Sequence, residues 1–185
     1  DDNSQDGTTE LVDDFKKQFG NITTLERPGL FGVGSALRDG YHLAQASYIL
    51  SSDADLSFKA ADMRVLYHKI QEGYDIVLGY KVMPSGVPIP MKYHVSMMCN
   101  WIIRRVSGMA QLRDFNTNFR IFKTSLWRQL DTRESGNFFL FEMILKAKRK
   151  GASIATMSVM FYNRKFGKTK LKFFKEASIY WLKLI

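Results

Sequence analysis

Cysteine is nearly absent from this sequence, and long apolar runs are absent altogether. The single Cys99 excludes an internal disulfide and a cysteine-ligated zinc cluster, so a reducing compartment is the expected environment. The three histidines, His42, His68 and His94, are dispersed and lack the spacing of metal ligands, which favours packing or surface roles. No window approaches the roughly 18 uninterrupted apolar residues that a bilayer span requires, and no signal-peptide pattern opens the chain. These absences argue against a disulfide scaffold and against a membrane span within these residues.

The composition is sufficient for one folded domain, and the two parts of the chain carry net charges of opposite sign. The 185 residues are 45% hydrophobic and 14% aromatic, which is enough for a packed core. Residues 1–62 carry 5 basic and 11 acidic side chains, a net charge of −6, whereas residues 63–185 carry 22 basic and 7 acidic side chains, a net charge of +15. This division predicts an acidic region suited to cations beside a basic region suited to phosphates or an anionic surface.

Helix and strand patterns alternate along the chain. Apolar residues at helical spacing, ended by glycine or loops, predict helices over 11–19, 32–46, 63–72, 91–106, 138–150 and 171–185. The first of these helices has Thr8 or Thr9 available as a cap. Short apolar runs predict strands over 21–26, 47–52, 74–79, 118–122 and 152–162. Such alternation predicts a layered α/β domain with parallel pairing.

Acidic residues follow two of the expected strands. Asp53 and Asp55 come directly after the strand at 47–52, and Asp1 and Asp2 are of the kind that follows an upstream strand. Ligands of α/β folds gather at the carboxyl ends of strands. Mg²⁺ takes one or two protein carboxylates and completes its shell with water and phosphate oxygens, although an isolated Asp-x-Asp is more often a solvated turn.

A basic run near the far end of the chain completes the pattern. Residues 164–172 contain five cations and no acid. Such a run is usually a solvated surface, and it is also suited to clamping phosphate groups.

Taken in order, several segments resemble a known family. They are DDNSQDGT, GVGSALRDGY, YILSSDADLS, GYDIVLGYK, RDFNTNFRIF, FLFEMILKAKRKG and RKFGKTK. The chain resembles a family-2 glycosyltransferase with a GT-A fold, of the polyprenol-phosphate or dolichol-phosphate mannosyltransferase type, from residue 1 to about residue 175. The resemblance implies an α/β domain whose mostly parallel mixed sheet is flanked by helices and lacks the family's opening strand. It also implies a nucleotide-binding half at 1–80, an acceptor half at 81–170 and a membrane-proximal amphipathic helix at 171–185.

The resemblance implies an enzyme that inverts the anomeric carbon. Its reaction would move a sugar from a nucleotide-diphosphate donor, of the GDP-mannose or UDP-glucose type, to polyprenyl phosphate. Mg²⁺ or Mn²⁺ would be the cofactor, and the site would lie at the cytoplasmic face of the membrane. A nucleic-acid partner is not expected.

The resemblance also assigns roles to individual residues. Asp2 would contact the nucleoside, Asp53 would line the donor pocket, and Asp53 and Asp55 would serve as metal ligands. Ser57 stands where many relatives carry a glutamine that reaches the metal. The remaining candidates would bind phosphate groups of the donor or acceptor: Lys81, Lys92, Ser96, Arg164, Lys168 and Lys170.

Two alternatives remain open. If the acceptor is a glycan hydroxyl, a carboxylate base is needed, and Asp114 or Glu142 is the candidate. Asp114 is equally suited to an ion pair with Arg113 or Arg120, and Glu142 to pairing with a cation on an apolar helix. The other alternative is a basic module, without enzymatic activity, that binds membrane or nucleic acid through its +15 segment.

Overall fold

The computed structural model describes residues 1–55, 57–83 and 91–162, apart from the side chains of residues 91, 92, 95 and 106. Helices and strands are interspersed along this part of the chain, with two successive helices at its start and two before its last strand. The helices are α1 (Thr8–Gln18), α2 (Val33–His42), α3 (Ala60–Gln71), α4 (Met91–Ser107), α5 (Thr124–Trp127) and α6 (Phe138–Arg149). The strands are β1 (Tyr48–Ser51), β2 (Ile76–Val82), β3 (Arg120–Lys123) and β4 (Ile154–Met160). The helix predicted at 171–185 lies outside the described residues.

The four strands form one mixed sheet in the order β1-β3-β2-β4. Strand β3 is antiparallel to both of its neighbours, with Ile121 opposite Leu50 on one side and Val77 on the other. Strands β2 and β4 pair in parallel. Three of the four strands therefore point the same way, which confirms the predicted α/β class, while β3 departs from the parallel pairing expected from alternation alone.

Helices cover both faces of the sheet. On one face Ile76 and Leu78 of β2 join a core that contains Trp127 and Phe139. On the other face Val77 packs in a second cluster with residues of α3 and β4. Three successive residues of β2 are fully buried because neither face of the strand meets solvent. The architecture is a sheet between two helical layers.

Helix α2 is held against α6 by glycine. The Gly34 N–H donates a hydrogen bond of 2.7 Å to the Ser135 carbonyl, and a Cβ at Gly34 would lie 2.5 Å from the Cβ of Phe139. Arg38, one turn further along α2, donates to the Glu134 carbonyl at 2.5 Å. This close approach fixes α2 beside the sheet and thereby positions Tyr41 near its end.

The strand predicted at 21–26 is wrong, and so is the predicted cap of α1. The Arg27 N–H donates to the Asp1 carbonyl at 2.8 Å and the Asp1 amino group donates to the Leu25 carbonyl at 2.7 Å, so this stretch pairs with a single residue. A strand needs a ladder along a neighbour. Helix α1 begins after Gly7, whose φ of 82° favours glycine, and not from a threonine cap.

Candidate functional site

One edge of the sheet collects the polar residues expected to form a site. Strands β1, β2 and β4 end there, and β3 begins there because it runs the opposite way. Asp53 and Asp55 follow β1, and Lys81 lies near the end of β2. Two strand spacings separate β1 from β2, about 10 Å. The predicted donor-side residues Asp53, Asp55 and Lys81 thus share one edge.

The exposed carboxylate of Asp53 is held by an asparagine that sequence reasoning missed. Asn118 lies two residues before β3, and its Nδ2 donates a hydrogen bond of 3.0 Å to Asp53 Oδ1. The Ser51 hydroxyl donates to Asn118 Oδ1 at 2.7 Å, and the Tyr41 hydroxyl donates to Ser51 Oγ at 2.8 Å. Asn118 belongs to the RDFNTNFRIF segment, but a contact across 65 residues leaves no local signal in the sequence.

Asp55 lies in a turn that connects β1 to the end of β4. Its Oδ1 accepts a hydrogen bond of 3.1 Å from the Ser57 N–H, and the Ser57 carbonyl accepts one of 2.9 Å from the Tyr162 N–H. Ser57 itself is only 2% exposed, which favours a structural role over metal ligation. Burial raises the pKa of Tyr93 on α4, and the negative charge of Asp55 raises it further. Asp55 is therefore close enough to α4 to act on it electrostatically.

Asp114 is buried in the loop that leads into β3. Its Oδ1 accepts a hydrogen bond of 2.9 Å from the Asn116 N–H. Among the ion pairs of the described residues none includes Asp114, so the expected pairing with Arg113 or Arg120 is not seen. Arg113 lies over the Tyr80 ring, and Arg120 donates to backbone carbonyls. The carboxylate is thus positioned by its own loop.

Glu142 is occupied by contacts that hold the loop before α6. Its carboxylate accepts hydrogen bonds from the N–H groups of Arg133 and Glu134 and forms an ion pair of 2.7 Å with Lys146. Burial alone would raise the pKa of Glu142, but Lys146 and the two backbone donors outweigh it and lower the pKa below its ordinary value. This arrangement favours a structural role over that of a base.

Asp2 lies in a separate cluster of ionised groups. Its Oδ1 is 2.9 Å from Nη1 of Arg27, a buried side chain whose Nε lies 3.3 Å from Asp39 Oδ2. Arg27 also donates to the Ser35 hydroxyl at 2.6 Å. A cavity of about 440 Å³ opens beside this cluster, lined by Asp1, Asn3, Thr9, Glu26, Arg27 and Pro28. A nucleoside that bound Asp2 would compete with Arg27 for its carboxylate.

The remaining predicted residues fall on α4 or beyond β4. Ser96 is half-buried on α4, whereas the side chain of Lys92 and the whole of Arg164, Lys168 and Lys170 lie outside the described residues.

The strand-end carboxylates fit a hard divalent cation. In the part of the chain that the structure describes, no cluster of three or more His, Cys, Asp or Glu side chains is suited to a metal. Asp53 and Asp55 offer two carboxylates at a polar edge, and Mg²⁺ sites commonly use one or two protein carboxylates plus phosphate oxygens. The donor set therefore suits Mg²⁺ or Mn²⁺ bound together with a diphosphate, rather than a closed protein cage.

Comparison with known proteins gives a match over most of the chain. The sequence model described as Glycosyl transferase family 2 matches residues 1–136. Dolichyl-phosphate beta-glucosyltransferase ALG5A of Trichomonas vaginalis is 25% identical over 166 residues, which cover 85% of this chain and 51% of that protein. Polyprenol monophosphomannose synthase of Mycolicibacterium smegmatis is 23% identical over 186 residues, covering 92% of this chain and 68% of that protein. The chain thus spans about half to two thirds of these relatives.

Solved structures share the fold. Glucosyl-3-phosphoglycerate synthase from Mycobacterium tuberculosis, in complex with Mn²⁺ and UDP-glucose, superposes with a TM-score of 0.68 at 13% identity, covering 97% of this chain and 62% of that one. S. aureus TarS 1–349 in complex with UDP-GlcNAc gives a TM-score of 0.60 at 16% identity, covering 98% of this chain and 56% of that one.

Proposed function

Since this chain belongs to glycosyl transferase family 2, we propose that it forms part of an inverting enzyme that moves a sugar from a nucleotide-diphosphate donor to polyprenyl phosphate. The observation that carries the proposal is the pair Asp53 and Asp55 at the strand-end edge, where the turn and Asn118 hold both carboxylates. The names of two curated relatives support the polyprenyl-phosphate acceptor.

The donor diphosphate is proposed to lie against Asp53 and Asp55. Departure of the nucleoside diphosphate builds negative charge on its phosphates, and groups that stabilise this charge in the transition state lower the barrier. A divalent cation held by the two aspartates would neutralise that charge. Lys81, exposed near the end of β2, would add a positive charge on the same edge. The base and sugar of the donor are expected to be of the GDP-mannose or UDP-glucose type.

The acceptor phosphate explains why a strong base is not required. A phosphate monoester is already anionic near neutral pH, so little deprotonation precedes attack. Lys92, Ser96, Arg164, Lys168 and Lys170 are proposed to hold this anion, in keeping with the +15 charge of residues 63–185. The occupied carboxylate of Glu142 agrees with a reaction that does not use it.

The proposal is tested by incubating the protein with labelled nucleotide sugars, Mn²⁺ or Mg²⁺ and polyprenyl phosphate. We expect a labelled lipid, and we expect Asp55→Asn to reduce its formation by about 10²–10³-fold because charge stabilisation at the leaving group is lost. Asp13→Asn, on exposed α1, is the matched control. No labelled lipid with any donor refutes the proposal.

A second candidate is transfer to a glycan hydroxyl, favoured by the burial of Asp114 beside the strand-end edge. In that case Asp114 would accept the hydroxyl proton. Asp114→Asn then abolishes turnover while donor binding stays unchanged, whereas transfer to a phosphate largely survives the substitution.

We also propose that the enzyme acts at a membrane surface. The exposed face of helix α4 supports this proposal. Among the described helices none has the length and apolar content to cross a bilayer. However, Met97, Met98 and Trp101 are all more than half exposed and share one arc of α4 with His94 and Arg105. Helix α4 contains no acidic residue. An exposed apolar stripe beside an arginine, on a helix without acidic residues, is suited to an interface with anionic lipid.

Vesicle flotation tests this surface. Met98→Gln together with Trp101→Gln should weaken binding to vesicles of phosphatidylglycerol and phosphatidylcholine by at least tenfold, because each buried apolar side chain contributes about 1.5–3 kcal/mol. Phe15→Gln, which alters an exposed apolar residue of α1, should leave binding unchanged. Equal binding of all three proteins excludes α4 as the contact.

A further inference from the structure

A line of hydrogen bonds runs from the protein interior to the strand-end edge. It begins at Tyr41, a buried residue of α2, and passes through the buried Ser51 at the end of β1. From Ser51 it reaches the half-buried Asn118, whose amide contacts the exposed Asp53. The four residues come from three separate stretches of chain, so the line exists only in the folded protein.

The chemistry of Asp53 sets the direction of this line. An ionised carboxylate accepts hydrogen bonds and cannot donate one, so the NH₂ side of the Asn118 amide must face Asp53. The Asn118 carbonyl then faces inward, where the Ser51 hydroxyl donates to it at 2.7 Å. Because Ser51 donates outward, its oxygen accepts the hydrogen of Tyr41 at 2.8 Å. Each group thus has a defined role, and reversing the Asn118 amide would break the contacts on both of its sides.

We propose that Asn118 is a positioning residue that orients the Asp53 carboxylate for metal and diphosphate binding, with Ser51 and Tyr41 fixing the orientation of Asn118. The inference rests on the proposed function of Asp53. In this inference Asn118 does not contact the metal or the donor itself. It affects metal binding through the Asp53 carboxylate that it orients.

The hydrogen bond from Asn118 to Asp53 is expected to contribute little to the stability of the fold. Asp53 is exposed and its carboxylate would be hydrated without Asn118, so losing this hydrogen bond leaves no buried group unsatisfied. At the inner end the opposite holds, because removing the Ser51 hydroxyl leaves the buried Tyr41 hydroxyl with only its longer contact of 3.5 Å to Asn118 Oδ1. The Asn118–Asp53 hydrogen bond therefore mainly affects how the Asp53 carboxylate is oriented. The hydrogen bonds among Tyr41, Ser51 and the Asn118 carbonyl mainly affect the stability of the fold.

This difference predicts a rank order for Mn²⁺ affinity. Partners that hold a metal-binding group typically change metal affinity by 10–100-fold when they are removed. The loss of Mn²⁺ affinity should be largest for Asn118→Leu, smaller for Ser51→Ala and smallest for Tyr41→Phe. Thermal stability should fall at all three positions, because Asn118→Leu also removes the acceptor of the buried Ser51 hydroxyl.

The experiment is a Mn²⁺ titration, followed by electron paramagnetic resonance of free Mn²⁺, on protein saturated with UDP or GDP. Asn118→Leu should raise the Mn²⁺ dissociation constant at least tenfold, and Asn118→Ala should do the same if the larger side chain prevents folding. Asn21→Leu, the same change in the loop after α1, is the control. In an Asp53→Asn background, Asn118→Leu should have no further effect, because the group it positions is already altered.

Other results overturn the inference and separate it from the proposed function. If the unaltered protein binds no Mn²⁺ with either nucleotide, the proposed function fails and the inference fails with it. If the unaltered protein binds Mn²⁺ and both Asn118 variants bind within twofold of it, only the inference fails. If Asn118→Leu changes the Mn²⁺ dissociation constant as much in the Asp53→Asn background as in the unaltered protein, its effect does not pass through Asp53 and the inference is again refuted.

Discussion

Replacing Asp75 with asparagine should destabilise the protein at neutral pH and have little effect in acid. Asp75 precedes β2 at the edge of the sheet opposite the candidate site. Its Oδ1 lies 2.8 Å from the ammonium of Lys123, at the end of β3. Its Oδ2 accepts hydrogen bonds of 2.8 Å from both the N–H and the hydroxyl of Ser153, just before β4. One carboxylate thus connects three strands.

The magnitude follows from these contacts. Hydrogen bonds to a charged group contribute about 1.5–3 kcal/mol when well shielded, and an exposed ion pair contributes about 0.2–1 kcal/mol. The Asp75 and Lys123 side chains are 29% and 32% exposed, so solvent weakens both kinds of contact. Asparagine keeps one acceptor oxygen but not the charge. We expect Asp75→Asn to lower the free energy of unfolding by about 1–2 kcal/mol at pH 7, or about 2–8 °C in melting temperature.

The pH dependence identifies the cause. Burial alone would raise the pKa of Asp75, but the contacts with Lys123 and Ser153 outweigh it and hold the pKa below the ordinary value of 3.8. A depressed pKa in the folded state means that the stabilisation is complete above the ordinary value and is lost as pH falls through the folded value. Urea unfolding from pH 7 down to about pH 3 should show the two proteins converging. Asp14→Asn, in an exposed pair on α1, is the control, and a gap that stays constant with pH refutes the reasoning.

Three further substitutions test how α2 and α6 are held. Gly34→Ala should lower the melting temperature, at a cost of about 1–3 kcal/mol, because its Cβ would lie 2.6 Å from the Gly136 carbonyl oxygen. Gly40→Ala, whose Cβ meets nothing within 4 Å, should instead stabilise the same helix by about 0.5–1 kcal/mol. Glu142→Gln should destabilise the protein by about 1–3 kcal/mol in urea unfolding, because the Lys146 ion pair is lost and the loop before α6 is held less firmly.

Local patterns in the sequence predict helix α6 and strand β2 correctly. The apolar helix ended by Gly151 was expected at 138–150 and is observed as α6, and the strand expected at 74–79 overlaps β2. The strand expected at 21–26 failed because strand formation depends on a neighbouring ladder, which its own residues do not reveal. The predicted threonine cap of α1 failed because a glycine with positive φ begins that helix.

The candidate site was predictable in part for the same reason. Asp53 and Asp55 can be predicted as candidates because an acidic pair directly after an apolar strand is a short pattern. The roles of Asn118 and Tyr41 depend on contacts between distant parts of the chain, and so does the pairing of Asp2 with Arg27. Such pairings follow from the tertiary fold, and one sequence carries no signal for them.

The direction of β3 explains why the loop before that strand, and not the loop after it, lies at the candidate site. In a parallel strand the carboxyl end would face the edge where Asp53 lies, whereas β3 places its amino end there. Asp114 and Asn118 precede β3 and are therefore brought to this edge. Arg120, fully buried at the start of the strand, donates to the carbonyls of Thr117 and Leu140 at 2.9 Å and so fixes the loop against α6. An antiparallel strand within an otherwise co-directed sheet thus brings to the candidate site residues that a purely parallel arrangement would have placed at the opposite edge.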